Sequence, residues 1–271
     1  MTRIAIIGGG KIGEALISGL LQAGHALKDL VVAEQYKPRA DELVAEYSIR
    51  ISTIADAAEG ADVIVVAVKP GDVEPALTEL TKVDLDGDLE QLIVSLAAGI
   101  PTSFYETRLP AGFPVVRVMP NTPMLVGEGI SVLAPGRHVK QSHLDLVRGI
   151  LSSVGKVVTV PESQIDAVTA VSGSGPAYFF LVAEAMIEAG VELGLTRAVS
   201  TELVTQTLVG SGAMLDRTGE SAADLRAAVT SPGGTTAAAV RRLEAGGVRT
   251  AFYEALDAAK SRSAAMGAAV E

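Results

Sequence analysis

The sequence predicts an α/β fold in which a doubly wound sheet fills the N-terminal part and helices alone make up the C-terminal part. Short β-branched runs alternate with helix-like segments up to about residue 160. This alternation predicts a parallel, doubly wound sheet that is covered by helices on both faces. Beyond residue 160 the strand pattern stops, and glycines separate helix-like segments. The predicted domains are therefore residues 1–162 and residues 163–271.

The strand candidates are short apolar runs, as expected of strands that are covered on both faces. They are residues 4–7, 30–33, 63–67, 93–96, 115–118, 130–133 and 157–160. Helices are predicted between several of these runs and throughout the C-terminal part. The helix candidates are residues 13–24, 37–47, 73–80, 166–193, 199–218, 222–229, 236–244 and 248–266.

The composition limits the classes of partner. The formal net charge of −10 argues against nucleic acid and anionic membranes, so an anionic ligand needs local positive potential from helix ends or backbone N–H groups. The chain has no cysteine, which excludes disulfides and thiolate metal sites, and its three histidines show no metal-ligand spacing. We expect a cytoplasmic protein without a metal, a targeting segment or a membrane span, since residues 167–183 contain serine, glycine and proline.

The C-terminal helices are rich in alanine, glycine and serine, and their apolar character exceeds what a domain of this size buries by itself. This excess predicts an interface between subunits. The alternative is a compact helical cap that buries the same faces within one chain.

A glycine motif at the start of the chain predicts a dinucleotide site. In RIAIIGGGKIGEAL, an apolar run ends at Gly8, and Gly10 and Gly13 complete a G-x-G-x-x-G motif that leads into a helix. The three glycines permit a tight turn, close approach of backbone to a pyrophosphate, and close packing of helix on strand. The alternative is a glycine turn with a structural role only.

The end of the second predicted strand carries Glu34, where Rossmann domains place an acid for the adenosine ribose. A carboxylate there repels a 2′-phosphate, so the sequence favours NADH over NADPH, with Gln35 beside it. Lys37 and Arg39 follow closely and would soften that repulsion. The alternative is a solvated strand end.

Other strand ends supply further candidates, because open α/β sheets bind ligands at the carboxyl ends of their strands. Lys69 in VVAVKP, the small residues of SLAAG, and Met119 and Asn121 in RVMPNTP all occupy such positions. A solvated lysine and a methionine that fills the core are the alternatives.

Two C-terminal segments combine glycine with a predicted helix start. They are SGSGPAY at residues 172–178 and TSPGGTT at residues 230–236. Each is predicted to cradle a small carboxylate on free backbone N–H groups. Helix capping and tight turns are the alternative. Because no strong acid or paired carboxylates accompany them, an acceptor that is already electrophilic, such as a protonated imine, fits better than a ketone.

Taken together, the motifs IIGGGKIGEAL, AVKP, SLAAGI, RVMPNTP, AVTAVSGSGPAYFF and VTSPGGTTAAAVRRLE resemble the pyrroline-5-carboxylate reductase family over residues 4–262. The resemblance implies a Rossmann domain and a helical dimerisation domain, in homodimers that assemble further, often as decamers. It also implies reduction of L-1-pyrroline-5-carboxylate to L-proline by NADPH or NADH, the last step of proline biosynthesis.

The resemblance also implies roles for individual residues. Thr236 is the expected catalytic residue, reaching the ring nitrogen, while the substrate carboxylate is expected on Ser231, Gly233, Gly234 and Thr235, near Ser172 and Ser174. The expected cofactor contacts are Ile7, Gly8, Gly9, Gly10, Lys11, Ile12, Gly13, Glu34, Gln35, Lys37, Ala67, Val68, Lys69, Pro70, Ala97, Ala98, Gly99, Met119, Asn121 and Glu162.

Two departures from the family pattern stand out. Glu34 and Gln35 replace the small polar residues that often receive a 2′-phosphate, and Ala227 and Ala228 lie where an asparagine is common. A β-hydroxyacid dehydrogenase is a rival interpretation, but it requires a lysine early in the helical part, and Lys260 is the only lysine after residue 160. A nucleotide-sensing protein without catalysis would not need the TSPGGTT segment.

Overall fold

A computed structural model describes residues 2–83 and 91–268 of the chain. It contains two compact units. Unit 1 comprises Met1–Ser174 together with Ala259–Glu271, and unit 2 comprises Gly175–Ala258. The division at Ser174 differs from the predicted boundary at residue 162, because the turns after that point pack in unit 1, where Gly173 lies against Met119. The domain assignment made from the sequence stays a prediction.

Unit 1 is built on a sheet of eight strands within the described residues, in the order β3-β2-β1-β4-β5-β6-β7-β8. The strands are β1 (Ile4–Ile7), β2 (Leu30–Ala33), β3 (Arg50–Ser52), β4 (Val63–Val66), β5 (Leu92–Ser95), β6 (Val115–Met119), β7 (Gly129–Pro135) and β8 (Gly155–Thr159). All seven predicted strands are confirmed, with small shifts at their ends. β3 was missed, because its three residues are partly exposed at the sheet edge and carry no apolar run.

The expectation of a wholly parallel sheet is wrong at one pair. β6 and β7 run antiparallel, whereas every other neighbouring pair in the described sheet is parallel. The reason is the short connection between them, which holds only the 3-10 turn Thr122–Val126. A parallel pair needs a crossover of about a dozen residues or more.

Helices cover both faces of this sheet. The helices of unit 1 are α1 (Lys11–Gln22), α2 (Lys37–Tyr47), α3 (Ile54–Ala58), α4 (Val73–Leu80), α5 (Thr102–Glu106), α6 (Gln141–Leu151) and α7 (Ile165–Val168). Alternate residues of β1 enter different cores, with Ile4 and Ile6 in one cluster and Ala5 and Ile7 in the other. This period of two follows from the pleat of a strand and confirms the doubly wound α/β class.

Unit 2 is helical and leaves much apolar surface uncovered. Its helices are α8 (Gly175–Glu192), α9 (Arg197–Arg217), α10 (Ala222–Ala228), α11 (Thr235–Ala245) and the first part of α12 (Val248–Ala268). Phe179, Phe180 and Leu181 are each about two-thirds exposed. The continuous helical stretch Glu162–Glu192 is long and apolar enough to cross a membrane by length and composition alone. The serine, glycine and proline of residues 167–183 had predicted no membrane span.

Candidate active site

A cleft of about 460 Å³ opens at the carboxyl ends of β1, β2 and β4. β2 lies on one side of β1 and β4 on the other, so the chain changes direction across the sheet at this point. Open α/β sheets bind their ligands at such a switch point. The predicted cofactor residues that line the cleft are Ile7, Gly8, Gly10, Glu34, Gln35, Ala67, Val68 and Lys69.

The glycine turn has the geometry that its sequence predicts. Gly8 has a φ of 103°, and an added Cβ would lie 2.9 Å from the carbonyl group of Ala67. Gly13 packs so closely that a Cβ would collide with the carbonyl oxygen of Gly8. Both positions therefore require glycine, the first for its backbone conformation and the second for the approach of α1 to β1.

The residues of this turn fit a dinucleotide pyrophosphate. Gly10 caps α1 without a side-chain hydrogen bond, and a Cβ added there would meet nothing within 4 Å. The first N–H groups of a helix have no partner within the helix, and the helix dipole favours an anion beside them. Lys11 and Ile12 begin α1 directly behind this opening.

Glu34 is held at the mouth of the cleft by two backbone donors. The N–H of Gly9 donates to Oε2 of Glu34 at 2.9 Å, and the N–H of Tyr36 donates to Oε1 at 2.8 Å. Gly9 is required here, because an added Cβ would collide with Leu43 and crowd Oε2 of Glu34 at 3.2 Å. The Glu34 carboxylate is therefore fixed beyond the end of β2, at the position where the sequence predicts a contact with the ribose.

Arg39 also lines the cleft, and each nitrogen of its guanidinium group lies against an oxygen of the protein. Nε donates to the carbonyl oxygen of Gly9 at 2.7 Å, Nη1 donates to Glu42 at 2.9 Å, and Nη2 lies 2.6 Å from the Glu14 carboxylate. The pKa of Arg39 is raised, first by the hydrogen bond to Glu42 and then by Glu14, against the effect of burial. Lys37, by contrast, pairs with Asp41, is highly exposed and does not line the cleft, and its contact with a cofactor stays a prediction.

A second polar cluster lies beyond the ends of β5 and β6. Glu162 accepts hydrogen bonds from the backbone N–H of Thr102 at 2.8 Å and from its hydroxyl at 2.6 Å, and it pairs with the buried Arg117 at 3.3 Å. Glu162 thus ties the start of α5 to β6. Its proposed contact with a cofactor stays a prediction.

The remaining cofactor candidates of unit 1 lie outside the described cleft. Pro70 begins a 3-10 turn. Gly99, which follows Ala97 and Ala98, packs against Met266 of α12, where an added Cβ would lie 3.3 Å from the Met266 Cβ. Met119 packs on Gly173, and the side chain of Asn121 accepts a hydrogen bond from the N–H of Ile130 at 2.9 Å. Asn121 therefore bonds to backbone, and its contact with a cofactor stays a prediction.

In unit 2 the TSPGGTT segment opens a helix as predicted. α11 begins at Thr235, its cap residue Gly234 has no side chain that could bond the first N–H groups, and Gly233 has a φ of 73°. Ser231 and Gly233 are exposed, whereas Thr236 is half-buried in the first turn. This helix start presents N–H groups in the same manner as α1 does.

The SGSGPAY segment does not form the predicted helix start. Residues Thr169–Gly173 form a π-helical turn that joins α7 to α8, and the N–H of Ser174 donates to the carbonyl oxygen of Thr169 at 2.8 Å. The backbone of this segment is therefore used by the helix itself. The hydroxyl of Ser172 donates to Val168 at 3.1 Å, and substrate contacts for Ser172 and Ser174 stay predictions.

Several residues that line the cleft carried no recognised signal. They are Tyr36, Ile54, Asp72, Pro75 and Ala76. Tyr36 is 68% exposed and directly follows the Glu34–Gln35 pair, so its position next to the strand end was the one available clue. Ile54 belongs to α3, Asp72 to the turn before α4, and Pro75 and Ala76 to α4 itself. Only the folded arrangement of these elements brings the four residues to the cleft. Within residues 2–83 and 91–268 no group of acids and histidines is placed to hold a metal ion.

Comparison with known proteins identifies the family. Residues 162–266 match the pyrroline-5-carboxylate reductase dimerisation domain, and residues 3–99 match the family described as NADP oxidoreductase coenzyme F420-dependent. A pyrroline-5-carboxylate reductase from Mycobacterium tuberculosis is 54% identical over 97% of this chain and 96% of its own length, and one from Mycobacterium leprae is 53% identical with the same coverage. The chain belongs to the pyrroline-5-carboxylate reductase family.

Solved structures of this family agree with the fold. The reductase from Coxiella burnetii is 36% identical, with a TM-score of 0.92 over 98% of both chains. The pyrroline carboxylate reductase of Plasmodium falciparum, solved with NADP bound, is 31% identical, with a TM-score of 0.85 over 98% of both chains. The predicted family, fold class and oxidoreductase class are thereby confirmed.

Proposed function

We propose that this reductase converts L-1-pyrroline-5-carboxylate into L-proline at the expense of NADH or NADPH. The observation that carries the proposal is that α1 and α11 both begin on a glycine without a side-chain cap. The family motifs place a diphosphate at the first helix start and a small carboxylate at the second. Two such sites suit a protein whose formal charge is −10, because backbone N–H groups attract anions without adding cations.

The chemistry divides between the cofactor and the chain. When bound, the nicotinamide supplies a hydride to the carbon of the substrate C=N bond. The residues of the chain bind and orient the substrate. The first N–H groups of α11, from Thr235 onward, hold the carboxylate. The hydroxyl of Thr236 bonds the ring nitrogen, which keeps its proton and becomes the amine of proline. A protonated imine is already electrophilic, so positioning, which supplies up to about 7–11 kcal/mol in well-oriented reactions, carries most of the catalysis.

NADH is the preferred coenzyme in this proposal. The fixed carboxylate of Glu34 supports hydrogen bonds from a free ribose hydroxyl and repels a 2′-phosphate. We further propose a cytoplasmic homodimer that can assemble to a decamer. The match to a dimerisation domain and the exposed apolar side chains of α8 support a subunit interface there.

The test follows nicotinamide oxidation in the presence of pyrroline-5-carboxylate, with NADH and NADPH side by side. Thr236→Ala is expected to lower kcat by about 10- to 100-fold, the value of one strong hydrogen bond, with little change in the cofactor Kd. Thr207→Ala is the matched control, because that hydroxyl only bonds the carbonyl oxygen of Leu203 within α9.

Three results would contradict the proposal. Cofactor binding without oxidation would favour the nucleotide-sensing protein. Faster oxidation of hydroxyacids than of proline in the reverse direction would favour the β-hydroxyacid dehydrogenase. A Thr236→Ala variant with unchanged kcat would remove Thr236 from the mechanism while leaving the reaction in place.

A further inference from the structure

The surroundings of Gly9 contain more carboxylates than a ribose needs. Glu34 accepts the N–H of Gly9, and Arg39 donates to the carbonyl oxygen of the same residue. Glu14 from α1 and Glu42 from α2 then hold the other two nitrogens of the guanidinium group. Two carboxylates thus pair with Arg39, and a third, that of Glu34, bonds the same glycine as Arg39 does.

All three nitrogens of Arg39 lie against an oxygen, but only Nε and Nη1 make hydrogen bonds. Nη2 is buried and lies 2.6 Å from Oε2 of Glu14, although its N–H groups are not aligned on the carboxylate for a hydrogen bond. The side chain of Arg39 is only 23% exposed, and that of Glu14 only 28%. A pair at this depth is screened less by solvent than an exposed pair is. A phosphate that approached from the cleft would meet an arginine that is already neutralised.

We propose that Glu14 and Glu42 are positioning residues for coenzyme choice, which hold Arg39 against Gly9 and so withhold it from a 2′-phosphate. Glu34 supplies the repulsion, and the other two glutamates remove the cation that would offset it. This inference rests on the proposed binding of a nicotinamide dinucleotide in the cleft. It assigns a specificity role to two residues that do not themselves line the cleft.

Substitution of Glu34 and substitution of Glu14 and Glu42 are expected to have different effects on the binding of a 2′-phosphate. Glu34→Ser removes the repulsion and weakens ribose binding, but Arg39 stays bound to its two glutamates, so the gain for a 2′-phosphate is limited. Replacement of both Glu14 and Glu42 by glutamine keeps the Glu34–ribose contact and frees the guanidinium group. Combining all three substitutions is expected to give more than the sum of the separate effects, because only then is the repulsion absent and the cation free.

The experiment measures binding by calorimetry with two probes, 5′-AMP and adenosine 2′,5′-bisphosphate, which share everything except the 2′-phosphate. The double variant Glu14→Gln, Glu42→Gln is expected to bind the bisphosphate about tenfold more tightly than the unmodified protein, the value of one charge-assisted hydrogen bond. Its affinity for 5′-AMP is expected to change by less than about twofold, and the gain shrinks as NaCl is raised.

Two controls separate this mechanism from a general change in charge. Glu46→Gln removes a carboxylate from an exposed position on the same helix as Glu42 without touching Arg39. Arg39→Gln in the double-variant background must abolish the gain. An equal gain in the Glu46 variant, or a gain that survives loss of Arg39, would overturn the proposal.

The outcomes also separate this inference from the proposed reaction. Nucleotide probes report on the cleft whether or not the enzyme reduces pyrroline-5-carboxylate, so loss of imine reduction alone would leave the coenzyme result intact. If the double variant fails to fold, Glu42→Gln serves instead, because the Glu42 side chain is 65% exposed. It should show a smaller gain for the bisphosphate, and no gain there would count against the role of Glu42.

Discussion

Unit 1 and unit 2 differ in how much of their apolar surface the single chain covers. Every residue of β1, β2, β4 and β5 is buried. In α9 only Ser200 and Val204 are buried, and in α10 and α11 none is. A helix that is apolar around most of its circumference needs neighbours on several sides. Unit 1 therefore buries the strands of its core within one chain, whereas the exposed apolar side chains of unit 2 suit an interface with a second copy.

The largest effect is expected from a charge on the exposed apolar face of α8. Phe180→Asp would bury an unpaired carboxylate in the proposed subunit interface, which costs several kcal/mol and raises the dimer Kd by about a thousandfold or more. Light scattering after size-exclusion chromatography would report the loss of the dimer.

The control for this substitution lies in unit 1. Val44 on α2 is 45% exposed, and Val44→Asp adds the same charge to a surface that needs no partner. It should leave the mass in solution unchanged. If the two variants behaved alike, the proposed difference between the units would be wrong.

A smaller effect is expected from a buried hydroxyl in unit 1. Tyr105 is fully buried, its hydroxyl lies 2.6 Å from Oγ of Ser95, and burial raises its pKa to about 12, although Ser95 and Arg117 oppose the shift. In the unfolded chain a tyrosine titrates near pH 10, so the native state binds the proton more tightly. Stability is therefore retained below pH 10 and falls by up to about 3 kcal/mol as the pH rises towards 12.

Urea unfolding at pH 9, 10 and 11 would measure this fall. Tyr105→Phe should flatten the pH dependence, at the cost of the hydrogen bond to Ser95. Tyr253 of unit 2 is 77% exposed, and Tyr253→Phe is expected to leave the pH dependence unchanged. An equal slope in all three proteins would show that the buried hydroxyl does not control alkaline stability.

The same contrast explains what the sequence could predict. Apolar runs and glycine spacing are local properties, so they predicted the central strands, the Gly8–Gly13 turn and the start of α11. The direction of β7 was predicted wrongly, because an apolar run has no direction. Ser172 and Ser174 resemble residues of a helix start, but Ser172 lies inside the π-helical turn and Ser174 caps its end.

The engaged state of Arg39 had no signal in the sequence. Its partners come from the glycine turn, α1 and α2, and only the packing of these elements brings them together. Lys37 and Arg39 appear equivalent as two cations after Glu34, yet one pairs with Asp41 in solvent and the other lines the cleft. Residue types and their spacing were therefore enough to predict the coenzyme region. The partner of each charged side chain could be identified only from the folded structure.

The smallest effect is expected from an ion pair on the surface of unit 2. Arg197 makes a two-pronged contact with Glu188, at 2.8 and 3.0 Å, but both side chains are more than half exposed in the single chain. The pair lowers the pKa of Glu188, first through the hydrogen bonds from Arg197. Arg197→Gln should lower the melting temperature only slightly, and the difference should vanish in 1 M NaCl, where the screening length is about 3 Å.

The comparison with unit 1 makes this small effect informative. Arg117 is buried beside Glu162, so Arg117→Gln is expected to cost about 1–3 kcal/mol, and salt should not remove the loss. A loss in the Arg197 variant that likewise persisted in 1 M NaCl would mean that a partner subunit covers this pair. The proposed interface would then extend beyond the apolar side chains of α8. It would include the groove between α8 and α9, which Phe180 and Arg197 both line.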